Sequence, residues 1–265
     1  FAFVVVADTH HMLTSKGGDP EFTSRSKQPA RAEVAIRLVK QLKADFAVHM
    51  GDLVQEYPES EGFGEAVGEA QEVLARYPFR VHQVPGNHDV GDKPDPTMPT
   101  LAVTAESLEQ YHEWFGTSWD SFDHEGVHCV IVNSQILNST LPQALQQRQW
   151  LEHDLSQHEG QRIFMFTHLP VYLWNEHEPG LGHYDNIDLP DRRWLLDLVR
   201  RYRVEMLFSA HVHWRFFDRI ASTRYLVVPS PAFTRPGFSH MFSSNAPPER
   251  GRDDTPKMGF LLVRV

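Results

Sequence analysis

The stretch Val84-Pro85-Gly86-Asn87-His88-Asp89 follows a short apolar run that begins at Arg80. The run predicts a buried strand, and the proline and glycine after it predict a tight turn. An amide, an imidazole and a carboxylate therefore leave the end of one strand together. If Asn87 binds a metal ion and His88 supplies a proton, further ligands must come from other parts of the chain.

The elements around this turn predict a parallel sheet. Apolar runs at residues 3–7 and 46–50 alternate with two amphipathic helices, which gives the order βαβαβ. That order favours parallel strands with right-handed crossovers. A hairpin is expected over residues 118–133, a second antiparallel pair over 214–228, and a last strand over 259–265.

Composition narrows the class of protein. The 265 residues are 41% hydrophobic and carry a net charge of −10, with sixteen histidines. A negative field repels nucleic acid, and the sequence has no basic block, so no nucleic-acid partner is expected. No apolar run approaches the roughly 20 residues that span a bilayer, so no membrane partner is expected either.

The single cysteine and the even composition give two further expectations. Cys129 lies in an apolar strand, where a buried and inert thiol is expected, and one cysteine allows no intrachain disulfide. This favours a cytoplasmic protein. Because the chain opens at Phe1 rather than Met, removal of an N-terminal leader stays an alternative. With no repeat, linker or composition break, residues 1–265 are expected to form one domain.

Polar side chains follow five of the predicted strands, at the point where each strand ends. Ligands of open α/β sheets bind at the carboxyl ends of the strands, so we expect these groups to converge. The candidate metal ligands are Asp8, His10, Asp52, Asn87, His168, His211 and His213. Two carboxylates, an amide and four imidazoles suit iron, manganese, zinc, cobalt or nickel. They are too many for one ion with an open position and fit two ions that share a bridging carboxylate.

These groups of polar residues, taken in their order along the chain and at their strand ends, resemble the motifs of the calcineurin-like metallophosphoesterase superfamily. The resemblance covers residues 3–228. The resemblance implies a four-layer α/β/β/α sandwich of two mixed sheets flanked by helices. It implies that Asp8, His10, Asp52 and His213 hold one ion and that Asn87, His168 and His211 complete the second. Asp52 would bridge the two ions, which are expected to be of the Fe, Mn or Zn type.

The resemblance also implies a reaction. Hydroxide bridging the two ions would attack a phosphate ester, His88 would contact the phosphate and protonate the leaving oxygen, and Asp89 would orient His88. Residues 86–91, 133–135 and 167–170 are similar to the calcineurin-like phosphoesterase domain-containing phosphatases, some of which act on phosphoproteins.

The sequence departs from related patterns at two places. Residues 53–56, Leu-Val-Gln-Glu, stand where Ser/Thr phosphatases carry Asp-Arg-Gly, so the phosphate-gripping arginine is missing. This disfavours the phosphoprotein activity typical of those enzymes. Arg215 and Arg235 are candidates for a replacement, with surface placement favoured for both. Ala210 replaces the usual glycine before the last His-x-His.

Long loops at residues 91–101 and 169–189 favour a small monoester as the substrate. The candidate substrate contacts are Asn87, His88, Trp174, His183 and Tyr184. The expected partner is a small phosphorylated substrate or a phosphoprotein. Two alternatives stay open: a phosphodiesterase acting on cyclic nucleotides or other small diesters, and a non-catalytic metal-binding scaffold.

Overall fold

A computed structural model describes residues 1–13, 23–178, 185–235 and 255–265. The strands are β1 (Ala2–Val6), β2 (Phe46–His49), β3 (Arg80–Gln83), β4 (Asp120–His124), β5 (Val127–Val132), β6 (Arg162–Thr167), β7 (Met206–Ser209), β8 (Phe216–Ile220), β9 (Thr223–Val227) and β10 (Leu261–Arg264). The helices are α1 (Gln28–Val39), α2 (Phe63–Leu74), α3 (Asn87–Val90), α4 (Ala105–Phe115), α5 (Pro142–Gln157) and α6 (Asp191–Arg201).

Two mixed sheets organise these elements. The first has the order β10-β1-β2-β3, in which β1, β2 and β3 are parallel and β10 is antiparallel to β1. The second has the order β4-β5-β6-β7-β9-β8, with parallel pairing from β5 to β9 and antiparallel strands at both edges. Because the central strands of each sheet are parallel, their carboxyl ends meet at one edge.

The inner faces of the sheets share one apolar core. Phe3 and Phe46 of the first sheet are stacked 4.9 Å apart, and Phe3 also meets Phe164 and Phe208 of the second sheet. Cys129 lies in this core, where burial raises the pKa of its thiol to about 12. The thiol is therefore protonated and inert, as the sequence predicts.

Helices cover the two outer faces. Ile36 and Val39 of α1 pack on Val4 and Ala47 of the first sheet. On the second sheet, apolar residues of α5 and α6 pack against β5, β6 and β7. The result is the expected four-layer α/β/β/α sandwich, and both predicted antiparallel pairs and the last strand are confirmed.

Two local features differ from the sequence-based expectation or extend it. The predicted tight turn after β3 leads directly into the short helix α3, formed by Asn87–Val90. Thr104 caps α4 by accepting a hydrogen bond from the Ser107 N–H, which satisfies one of the unpaired donors of the first turn. Among the described residues, no helix is both long and apolar enough to pass through a bilayer.

Candidate metal centre

The carboxyl edge of both sheets brings the candidate metal ligands together. Asp8 and His10 follow β1, Asp52 follows β2, Asn87 opens α3 after β3, His168 follows β6, and His211 and His213 follow β7. All seven side chains are buried. Residues as far apart in sequence as Asp8 and His213 therefore lie side by side, as the strand-end pattern predicts.

Most of these ligands occupy an unusual backbone conformation. Positive φ angles are found at Asp8 (50°), His10 (43°), Asp52 (51°), His211 (68°) and His213 (54°). Left-handed residues other than glycine are uncommon and cost of order 1 kcal/mol or more each, so they persist only where the surrounding structure fixes them. Their concentration on one set of side chains indicates that the fold holds these groups for a function.

The ligands form two clusters. In the first, His10 Nε2 lies 3.1 Å from His213 Nε2 and 3.6 Å from Asp52 Oδ2, and His213 Nε2 lies 3.7 Å from an oxygen of Asp8. The ligand atoms of this cluster all lie within 4.8 Å of one another. A single ion can therefore contact all four side chains.

The second cluster is centred on His168. Its Nε2 lies 3.1 Å from His211 Nδ1, 3.3 Å from Asn87 Oδ1 and 3.4 Å from Asp52 Oδ1. Asp52 thus faces the second cluster with Oδ1 and the first with Oδ2. A carboxylate shared in this way is the arrangement that two-metal sites use to bridge their ions.

The hydrogen bonds of the imidazoles show that the residues fit metal ions. His168 Nδ1 donates to the Met50 carbonyl at 2.7 Å, and His213 Nδ1 donates to the Phe233 carbonyl at 3.0 Å. Because a carbonyl only accepts, each Nδ1 carries a proton, so Nε2 is the nitrogen whose lone pair each ring would offer to a bound ion. Several lone pairs converge in each cluster, and a cation relieves their repulsion.

Electrostatics point to the same requirement for positive charge. Burial raises the pKa of Asp8 well above its ordinary value. Burial alone would lower the pKa of His168, but the negative charge of Asp52 outweighs it and raises that pKa to about 9. The site therefore attracts cations, and two divalent ions would offset the cost of burying these carboxylates.

Close backbone contacts hold the bridging carboxylate in place. A Cβ atom added to Gly86 would lie 2.3 Å from both the N and the Oδ1 of Asp52. Gly51 has a φ of 97° and no room for a side chain beside Gly86 and His168. These two glycines are required because the loops after β2 and β3 approach each other at van der Waals distance.

Asp89 does not orient His88 as expected. Its Oδ2 accepts hydrogen bonds from the N–H groups of Asp52 and Gly86, both at 2.8 Å, and its Oδ1 accepts from the Leu53 N–H at 3.0 Å. The cause is the helix α3, which turns the side chain of Asp89 back onto the main chain at its own amino end. Asp89 thus positions the loop that carries Asp52.

His88 is oriented by a different segment. Its Nδ1 donates to the Gln55 carbonyl at 2.8 Å, and its ring is stacked on Tyr57 with centroids 4.0 Å apart. The centroids of the His88 and His10 rings lie 4.5 Å apart with the rings nearly perpendicular, which places His88 beside the first cluster. Burial lowers the pKa of His88, with a partly opposing effect from Asp52. A main-chain carbonyl leaves no sequence signal, whereas an aromatic residue shortly after Gly51-Asp52 could have drawn attention to Tyr57.

The remaining predicted substrate contacts are placed only in part. The Trp174 side chain is 48% exposed, and the main-chain N–H of Trp174 donates to a carboxylate oxygen of Glu178 at 3.0 Å. His183 and Tyr184 lie outside the described residues. A substrate role for these three residues stays a prediction. Phe233 was not predicted, although its ring lies 4.2 Å from His213 and 5.1 Å from His10.

A separate group of histidines and carboxylates lies near the amino end of β5, away from the strand ends that carry the metal ligands. His128 contacts Asp123 through Nδ1 and Asp154 through Nε2, each at 2.8 Å. The ring of His158 is stacked on it at 3.5 Å with an interplanar angle of 11°. Parallel rings do not aim their nitrogens at one point, so this arrangement fits an imidazolium held by two carboxylates rather than a metal site.

Comparisons with known proteins agree with the fold and the clusters. The sequence profile of the family described as Calcineurin-like phosphoesterase matches residues 1–215. The Serine/threonine-protein phosphatase CPPED1 of Danio rerio is 30% identical over 206 residues, which cover 74% of this chain and 62% of that protein. Its counterpart from Mus musculus is 30% identical over 229 residues, which cover 80% of this chain and 69% of that protein. The matched segment therefore spans about two thirds of these relatives.

Solved structures share the fold. The crystal structure of a dimetal phosphatase from Danio rerio aligns with a TM-score of 0.62 at 15% sequence identity, covering 99% of this chain and 91% of that chain. A purple acid phosphatase from yellow lupin aligns with a TM-score of 0.56 at 14% identity, covering 85% of this chain and 43% of that chain. At these identities the likeness shows the architecture alone.

Proposed function

The chain belongs to the calcineurin-like phosphoesterase family and is a phosphoric ester hydrolase, and we propose that it hydrolyses phosphate monoesters at a centre of two metal ions. The observation that carries the proposal is the shared carboxylate: Asp52 faces both ligand clusters, each with a different oxygen. The name of the relatives as serine/threonine-protein phosphatases supports phosphoproteins as one class of substrate.

The residues that would hold the ions are Asp8, His10, Asp52 and His213 for one and Asp52, Asn87, His168 and His211 for the other. Their nitrogen and oxygen ligands fit ions of the Fe, Mn or Zn type. Two such ions, when bound, would supply concentrated positive charge for the phosphate oxygens and an activated water.

His88 would transfer a proton to the leaving oxygen. Because Nδ1 is committed to the Gln55 carbonyl, Nε2 is the nitrogen left for proton transfer. The stacked ring of Tyr57 limits rotation of His88 and so keeps Nε2 in one direction. A positioned acid of this kind contributes on the order of 10²–10⁴-fold to the rate.

Asn87 would have two tasks at the amino end of α3. Its Oδ1 faces His168 Nε2 at 3.3 Å and so belongs to the second cluster. Its place directly before His88 ties the position of the acid to the position of the metal ligands. A shift of about 1 Å in such a group can cost roughly 100-fold in rate.

The proposal is tested by metal analysis of the purified protein together with a screen of substrates. We expect two equivalents of metal and turnover of an aryl monophosphate, an alkyl monophosphate and a phosphoserine peptide after loading with iron, manganese or zinc. A preference of more than tenfold for a bis-aryl phosphodiester would favour the phosphodiesterase alternative. Binding of fewer than two equivalents of metal, with no turnover of any of these esters, would favour the non-catalytic scaffold.

The role of His88 is tested by His88→Ala, with the exposed His153→Ala as a matched control. We expect His88→Ala to keep both metal ions and to lose most turnover of the alkyl phosphate. Turnover of an aryl phosphate should fall less, because a good leaving group needs little protonation. Unchanged turnover of the alkyl phosphate would remove His88 from the mechanism.

A further inference from the structure

We propose that Arg235, held beside the metal centre by Asp185, binds the phosphate group of a dianionic monoester. It would replace the arginine that the loop after Asp52 lacks. The inference rests on the proposed function, because it takes the metal centre as the place where phosphate binds. It adds a substrate-binding residue and a reason for preferring monoesters to diesters.

The placement of Arg235 carries the proposal. Its Nη1 donates to Oδ1 of Asp185, and that same oxygen lies 4.0 Å from His211 Nε2. Two residues earlier in the chain, the Phe233 carbonyl accepts a hydrogen bond from His213 Nδ1 at 3.0 Å. Residues 233–235 therefore lie beside both histidines that follow β7.

The exposure of the two side chains fits a binding role. The Asp185 side chain is 1% exposed and that of Arg235 is 27% exposed, so part of the Arg235 side chain remains open to solvent beside a buried partner. The sequence favours surface placement for Arg235, but the structure partly buries it. Arg215, the other candidate, is exposed.

The loop that presents Asp185 is fixed by buried contacts. Lys93 Nζ donates to the Asn186 carbonyl at 2.7 Å and pairs with Asp188 at 2.9 Å. The side chain of Asn186 donates to a carboxylate oxygen of Glu178. Because these groups are buried and paired, Asp185 and the guanidinium it holds are preorganised before a substrate arrives.

The chemistry of a guanidinium suits this task. Its planar fork of N–H groups matches the oxygens of a phosphate and can bind two of them at once. The chain carries a net charge of −10, so an incoming phosphate needs local positive charge. A monoester dianion has one more negative charge than a diester, and an added cation beside the metal centre therefore favours the monoester.

The test compares metal-loaded wild type with Arg235→Met, Arg235→Lys and the control Arg215→Met. Metal content is measured first, and the dissociation constant of inorganic phosphate is then measured by calorimetry. We expect Arg235→Met to keep both metal ions and to bind phosphate about 10- to 100-fold more weakly. Arg235→Lys should lose less, because it keeps the charge without the fork, and Arg215→Met should stay within about twofold of wild type.

Kinetics give a second measurement. We expect Arg235→Met to raise KM for an aryl monophosphate more than KM for the bis-aryl diester. Equal phosphate affinity in Arg235→Met and wild type would overturn the proposal, as would an equal loss in Arg215→Met or loss of metal in Arg235→Met. Wild-type protein that hydrolyses neither ester would contradict the proposed function, and the comparison of phosphate affinities would still decide the role of Arg235.

Discussion

Replacement of Asp89 separates a structural role from a direct role in catalysis. In Asp89→Ala, three main-chain N–H groups of the loops after β2 and β3 lose their acceptor. A buried donor without a partner costs about 1–3 kcal/mol, so three unpaired N–H groups together would lower the free energy of unfolding by an amount of order 5 kcal/mol. Part of this destabilisation is offset, because the substitution also removes a buried carboxylate. Burial raises the pKa of Asp89 to about 7, which shows that the ionised form is costly at this position.

We therefore expect Asp89→Ala to lower the free energy of unfolding by about 2–4 kcal/mol. Asp89→Asn should lose less, since the amide oxygen can still accept from two of the three donors. The assay is urea unfolding of metal-stripped protein followed by tryptophan fluorescence, with the exposed Asp197→Asn as the control. Both Asp89 variants should also bind metal more weakly, because the Asp52 N–H is one of the donors.

One result would refute this reasoning. If Asp89→Asn has the stability and metal content of wild type but loses turnover of alkyl phosphates, Asp89 acts on the proton transfer of His88. That result would support the role implied by the resemblance, in which Asp89 orients His88. Loss of stability and metal together, with turnover falling in proportion to the metal bound, would support the positioning role.

Three further predictions follow from single contacts. Gly86→Ala should lose at least one metal ion, because the new Cβ would lie 2.3 Å from atoms of Asp52. The control Gly68→Ala, with open space around its Cβ, should keep both ions, and metal analysis of the two variants tests this. Tyr57→Ala should lower kcat for alkyl phosphates about tenfold with little change in KM, whereas Tyr57→Phe, which keeps the ring stacked on His88, should match wild type. For His128, burial lowers the pKa but its hydrogen bonds to two carboxylates raise it further, so its folded pKa lies above its unfolded value. Wild type should therefore be stabilised over His128→Gln below about pH 6.5, and this advantage should disappear as the pH rises through the folded pKa in unfolding experiments across pH.

The strand-end pattern was sufficient to predict a parallel sheet and the clustering of the ligand candidates, whereas the four-layer sandwich was implied by the family resemblance. Apolar runs of about five residues identify parallel strands, and parallel strands end at one edge. Polar groups that follow those runs must then converge, whatever the rest of the chain does. For this reason Asp8 and His213 could be placed at one edge of the sheet from the sequence, although almost the whole family profile lies between them. Their assignment to the same ion was implied by the resemblance.

The orientation of the catalytic candidate could not be predicted in this way. The sequence places Asp89 next to His88, but adjacency along a chain does not give the direction of a side chain. The short helix α3 turns Asp89 onto main-chain N–H groups, and a carbonyl from the neighbouring loop takes its expected place. The pairing of Asp185 with Arg235 across 50 residues is equally invisible in the sequence.

The sequence by itself determined which elements form and which polar groups reach the common edge of the sheets, because periodicity and turn residues act locally. Only the tertiary structure decided how the turn Gly86-Asn87-His88-Asp89 divides its tasks. There Asn87 faces a metal cluster, Asp89 holds the loop of the bridging Asp52, and His88 takes its direction from Gln55 and Tyr57. The physical reason is that hydrogen-bond direction depends on how two loops approach in space, and that approach is set by the packing of the whole sheet.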